Sequence, residues 1–145
     1  MLNITTGRFV WTFIVGALVA SNLNWAVAEL LLNDWAMPRF DGFMRTMETG
    51  GAAGSNIARM AIGFIMPLFV IAWFQASLTK PENWVTRAIV VSLLVSFGAF
   101  YGTYTFISGW GNVNWMPLMV TANCDAACMV VGALIIGFLQ EGGMK

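Results

Sequence analysis

The sequence contains no histidine. That absence removes imidazole acid–base catalysis, histidine-ligated haem, histidine-bound chlorophyll and most zinc or copper chemistry. It also leaves every serine and cysteine without a histidine base, which excludes triad hydrolysis. Only two cysteines occur, Cys124 and Cys128, too few for a disulfide scaffold. Charge is scarce as well, at 10% of residues, against about a quarter in a typical soluble domain. A water-facing surface cannot be built from so few charges, so most of the surface has to meet lipid or other protein. Seven basic and seven acidic residues cancel to zero, and no basic tract points to nucleic acid.

What fills the space is apolar: 59% of the 145 residues are hydrophobic, with a mean hydropathy of +0.74. Four blocks stand out, Phe9–Leu32, Ile57–Leu78, Val85–Ile107 and Met116–Leu139. Each exceeds the roughly 20 residues needed to cross a hydrocarbon core. Helices satisfy their own backbone in lipid, so the expected fold is an all-α, integral membrane four-helix bundle forming one domain. Arg8 followed by Phe9–Ala20 imitates a signal peptide, but the apolar stretch runs well past Ala20 and reads as a retained first span. Trp35, Trp84, Trp110 and Trp115 fall near the predicted boundaries, where indole sits half wet and half in lipid. Thr79-Lys80-Pro81-Glu82 has the spacing of a capping box opening the third helix. Ser55 or Asn56 is the expected cap of the second helix, and Pro67 lies inside that span, where a kink is expected.

Short second and third connections, Thr79–Trp84 and Ser108–Trp115, predict that helices two and three, and three and four, pair as antiparallel hairpins. The first connection is longer. Phe40, Phe43, Met44 and Met47 recur at i, i+3, i+4 and i+7, with Arg39, Asp41, Arg45 and Glu48 between them. This pattern predicts an amphipathic helix lying in the interface over about residues 36–48; the plainer reading is a solvated loop with scattered aromatics. The following run Gly50-Gly51-Ala52-Ala53-Gly54 is a return, not a phosphate loop, because no lysine stands at the required spacing. With the termini cytoplasmic, Arg8, Lys80, Arg87 and Lys145 lie inside against Arg39, Arg45 and Arg59 outside, a small excess in favour of that orientation in a bacterial inner membrane.

Asp125 is the first candidate for chemistry. It lies well inside the fourth span, where a carboxylate costs on the order of 3 kcal/mol on insertion scales unless it is protonated or paired. Thr121, Asp125 and Cys128 share one helical face, with Cys124 adjacent. The functional reading is a proton or cation site; the structural one is a hydrogen-bonded acid tying helices together. Cys124 and Cys128 are spaced to face a soft ion together, while cysteine in a span more commonly packs as a small apolar residue. Glu29 is the other intramembrane acid. Asn22, Trp25 and Glu29 form a stripe on the first helix with Asn24 off it, and Arg59 is the expected ion-pair partner of Glu29. Arg87, near the start of the third helix, is expected to snorkel. Gly98 and Gly102 form a GxxxG that would let a helix of this chain or of a partner approach closely, a spacing that Gly132 and Gly137 lack. The ten methionines are spread over loops and spans, as gap-filling packing residues are.

Two stretches carry a family likeness. Gly16-Ala17-Leu18 leading through Asn22 to Trp25, and Asp125 leading to Gly132-Ala133-Leu134-Ile135-Ile136-Gly137, resemble the first and last helices of a family of small bacterial four-span membrane proteins of unknown function. The resemblance implies four spans and no assigned activity.

Three functions fit these residues. The first is a small non-catalytic accessory subunit that packs in lipid against other membrane proteins or against itself. The second is a small oligomeric transporter or channel using Asp125, with Glu29, as a proton or cation site. A membrane enzyme ranks last, because acid–base residues are so few. No cofactor is predicted; a lipid or pigment held by packing alone would leave almost no trace in the sequence.

Overall fold

The computed structural model describes residues 3–40, 52–111 and 113–142. Among them are four helices long and apolar enough to cross a membrane: α1 (Thr6–Ala36), α2 (Ala52–Ser77), α3 (Trp84–Trp110) and α4 (Trp115–Glu141). The protein is an all-α, multi-pass membrane protein. Three of the helices carry a single π-helical turn, at Ala28–Leu32, Phe97–Gly102 and Phe138–Gly142. Such a turn adds one residue to the helical register and so rotates the remainder of the helix by about 100°.

The starts of α1, α3 and α4 are set by side-chain oxygens. Thr5 caps α1, its hydroxyl accepting from the Arg8 N–H at 3.3 Å. Asn114 caps α4 by accepting from the Met116 N–H at 3.1 Å. The expected box at Thr79–Glu82 does not open α3. Asn83 does, accepting from the N–H groups of Val85 and Thr86 at 2.9 and 3.3 Å. Asparagine adjoins the first turn directly, and Lys80 and Glu82 pair with each other on the exposed loop instead. The expected start at Ser55 or Asn56 is displaced as well: α2 already runs from Ala52, because Ala52 and Ala53 extend a helix readily. Pro67 lies inside α2, which continues through it.

α4 is the hub. It packs on α1, α2 and α3, while α1 touches α2 and α2 touches α3. Half of its most apolar window is buried within the chain, against 17% for α1 and for α2. The predicted hairpins are present, and a close α1–α4 contact joins them. Here the backbones nearly touch. A Cβ added at Gly16 would overlap Ile136 Cγ1 and come within 2.8 Å of its Cδ1. One added at Gly132 would lie 2.9 Å from both Ala20 Cβ and Leu68 Cδ2. Ala17, Ala20, Leu68, Ile71, Met129 and Ala133 fill the surrounding core.

The helix ends sort into two poles. At one, the Asn3 N–H donates to the Ala76 carbonyl at 2.7 Å, and the Arg8 guanidinium donates to the Leu139 carbonyl at 2.9 Å. The start of α1 and the end of α4 therefore share a side. At the opposite pole a 3-10 turn, Met37–Phe40, comes after α1. Ala36 and Phe40 are buried there against Val113 and Leu118. Arg39 donates to the Trp35 carbonyl and lies over the Trp35 ring, 4.5 Å from its centroid. The predicted interfacial helix falls mostly on residues 41–48, outside the described residues; its first part, up to Phe40, turns into the bundle.

Candidate functional site

Asp125 lies on the inward side of α4 and is only 7% exposed. Its two carboxylate oxygens are held from two other helices. Oδ1 accepts from Asn24 Nδ2 of α1 at 2.6 Å, and Oδ2 accepts from Tyr104 Oη of α3 at 2.8 Å. One side chain thereby ties three helices, in surroundings where no bulk water competes for the bonds. Tyr104 also packs on Phe100, their ring centroids 6.2 Å apart, and joins the apolar cluster of Ala36, Phe40, Val113 and Leu118. That cluster lies between the triad and the nearer end of the bundle. One turn away, Tyr101 Oη donates to Asn123 Oδ1, a second tyrosine contact from α3 to α4. Tyr101 belongs to the π turn Phe97–Gly102, and Tyr104 stands just beyond it. The turn sets the register that aims both hydroxyls at α4.

The residues singled out from sequence fall in different places. Thr121 does not join the carboxylate: its hydroxyl donates to the Pro117 carbonyl of its own helix at 3.0 Å. Cys124 is half-buried and Cys128 buried, both as free thiols. Among the described residues no three of Cys, Asp and Glu gather as a metal site. Asn22 faces outward and donates to the Leu18 carbonyl at 2.7 Å. Glu29 is also outward, accepting from Trp25 Nε1 at 3.3 Å. It forms no ion pair with Arg59, which is likewise exposed. Gly98 and Gly102 are exposed, and a Cβ at Gly98 would meet nothing within 4 Å. Among the described residues, no helix of this chain is seated on them.

Sequence reasoning passed over Asn24 and Tyr104, yet each continues a buried stripe. Gly16, Ala20 and Asn24 succeed one another at i+4 along α1, and Ser92, Ser96, Phe100 and Tyr104 do the same along α3. Small residues at that spacing mark the face that meets another backbone.

A second polar cluster sits at the pole with the start of α1 and the end of α4. Arg87 does not snorkel; it is 2% exposed, donates to the Pro81 carbonyl at 2.8 Å and pairs with Glu141. The reason is that α4 runs past the predicted end at Leu139 and delivers a counter-charge. Nearby, Gln75 Nε2 donates to the Ala133 carbonyl at 2.8 Å and Gln140 Nε2 to Thr12 Oγ1 at 3.3 Å. These bonds close the end of the bundle with amides where glycine and alanine close its middle.

Comparison with known proteins finds no counterpart. No family model, no curated protein and no solved structure matches the chain. The likeness of its first and last helices to a four-span family gains no support from these comparisons, and function has to be argued from the site.

Proposed function

We propose that this chain is a small non-catalytic subunit that packs within a larger membrane assembly. The observation that carries the reading is the use made of Asp125. The one deeply buried carboxylate among the described residues has both oxygens engaged, by Asn24 and Tyr104, in holding α1, α3 and α4 together. An acid spent in this way acts as a pin in the bundle. Interhelical hydrogen bonds of this kind contribute on the order of 0.6 to 2 kcal/mol each in lipid. Two other polar groups of α1, Asn22 and Glu29, face out of the chain, where a subunit would meet its neighbour. The protein inserts with its termini cytoplasmic in a bacterial inner membrane, the orientation that the slight excess of basic residues favours.

The test is native mass analysis of the protein extracted in mild detergent. A mass above that of one chain, from copies or from other proteins, is expected. A protein that stays single under all mild conditions contradicts the reading.

One observation favours a second reading, a proton site at Asp125. Tyrosine hydroxyl and asparagine amide can each donate or accept, so the same two partners satisfy the acid in either protonation state. Proton flux lost in Asp125→Asn with the assembly intact would establish this reading over the first.

A further inference from the structure

The outward face of α1 carries polar groups that bond only within their own helix: Asn22 to the Leu18 carbonyl, and Trp25 Nε1 to Glu29. Leu18, Asn22, Trp25 and Glu29 succeed one another at spacings of four, three and four residues, and all are exposed. This is the seam spacing of a helix that pairs with another helix. Asn22 is the telling member. It stands two residues beyond Ala20, which meets Gly132 of α4, so Asn22 is level with the middle third of α4. Its Nδ2 donates to the Leu18 carbonyl, and its Oδ1 accepts nothing among the described residues. Polar side chains at this depth normally turn toward protein, because hydrocarbon offers them no partner.

An independent observation comes from charge. Ala20 and Leu68 both meet Gly132 and are therefore at one depth. Glu29 lies nine residues beyond Ala20, and Arg59 nine residues before Leu68 on the oppositely directed α2. At 1.5 Å per residue both sit about 13 Å from that level, toward the same pole. An acid and a base at equal depth, on adjacent helices, both point outward and form no ion pair with each other.

We propose that the occupant of this face is a second copy of the chain, arranged about a two-fold axis along the membrane normal. A two-fold interface requires a self-complementary patch. An amide supplies one, since each Asn22 offers both a donor and an acceptor to its symmetry mate. The charges supply the other: Glu29 lies one heptad from Asn22, so the same axis brings the two acids to one level, and Arg59 of the other copy pairs with each and offsets their repulsion. Leu18 and Trp25 pack around the amides and keep lipid from them. The inference rests on the subunit reading and names the partner.

The experiment compares the dimer equilibrium of the full-length protein with that of four variants, by native mass in mild detergent and by single-molecule counting in liposomes. The native protein is expected as two copies. Glu29→Arg and Arg59→Glu should each weaken the dimer by about tenfold or more, and combining them should restore it to within about threefold, because both pairs are re-formed with reversed sign. Asn22→Leu should weaken it by about 3- to 30-fold, the range of a single interhelical hydrogen bond. All of these substitutions lie on exposed positions, so helical content should be unchanged. Charge reversals that fail to rescue one another overturn the proposal. A native protein found as one copy bound to a different chain also overturns it while leaving the subunit reading standing. A native protein found strictly alone overturns both.

Discussion

The two faces of α1 have nearly the same hydrophobicity and opposite fates. One side, with Gly16, Ala17, Ala20 and Asn24, is drawn against α4, and its asparagine donates to Asp125. The other, with Leu18, Asn22, Trp25 and Glu29, looks out of the bundle. In water the apolar side of such a helix would be the buried one. In lipid that rule has no force, because hydrocarbon is as good a neighbour for leucine as another helix. What selects the inner face is side-chain size, since only the face with glycine and alanine lets two backbones approach and a short asparagine reach across.

The sharpest way to break this contrast is to enlarge the inner face. Gly16→Leu should destabilise the fold by about 1 to 3 kcal/mol or more, since Ile136 occupies the space its side chain needs. The same change at Gly98, which has nothing within 4 Å, should stay within about 0.5 kcal/mol. Unfolding titrations in mixed micelles of denaturing and mild detergent measure both; equal effects would remove the distinction between the faces.

Next come the two asparagines. Asn24→Leu leaves a carboxylate oxygen of Asp125 without its donor and should cost about 1 to 3 kcal/mol. Asn22→Leu should leave the stability of the monomer unchanged in the same assay. Tyr104→Phe removes one interhelical bond and is expected to cost about 0.6 to 2 kcal/mol. Within the Asn24–Asp125–Tyr104 triad the smallest effect should come from Asp125→Asn, about 1 kcal/mol or less. The new amide can accept from Asn24 and donate to the Tyr104 oxygen. A collapse of the fold in Asp125→Asn would mean that the acid holds something other than these two partners.

The sequence was informative about what the bilayer dictates and uninformative about what neighbouring helices dictate. The four spans were legible because length and apolarity are imposed by the hydrocarbon core. Asp125 was legible as a residue that had to be accounted for, because a carboxylate at that depth is costly. Its partners were not. Asn22 and Asn24 are two residues apart, so they point to nearly opposite sides, and mostly apolar residues surround both. The Gly98–Gly102 spacing drew notice although it faces away from the other helices, while Gly16 and Gly132, each alone in its helix at that level, form the tightest crossing. A glycine motif within one helix cannot show which surface opposes it. Arg87 departs from the expected snorkelling for a related reason: its partner Glu141 lies 54 residues away, beyond the predicted end of α4.

The central claim is that Asp125 and Asn24 act as one unit joining α4 to α1. A double-mutant cycle tests it most directly, with Asn24→Leu, Asp125→Leu and the pair measured by unfolding in mixed micelles. A coupling of about 1 kcal/mol is predicted, the double variant being little worse than Asp125→Leu alone, which already removes the bonds to both Asn24 and Tyr104. Effects that simply add, to within about 0.3 kcal/mol, would contradict it.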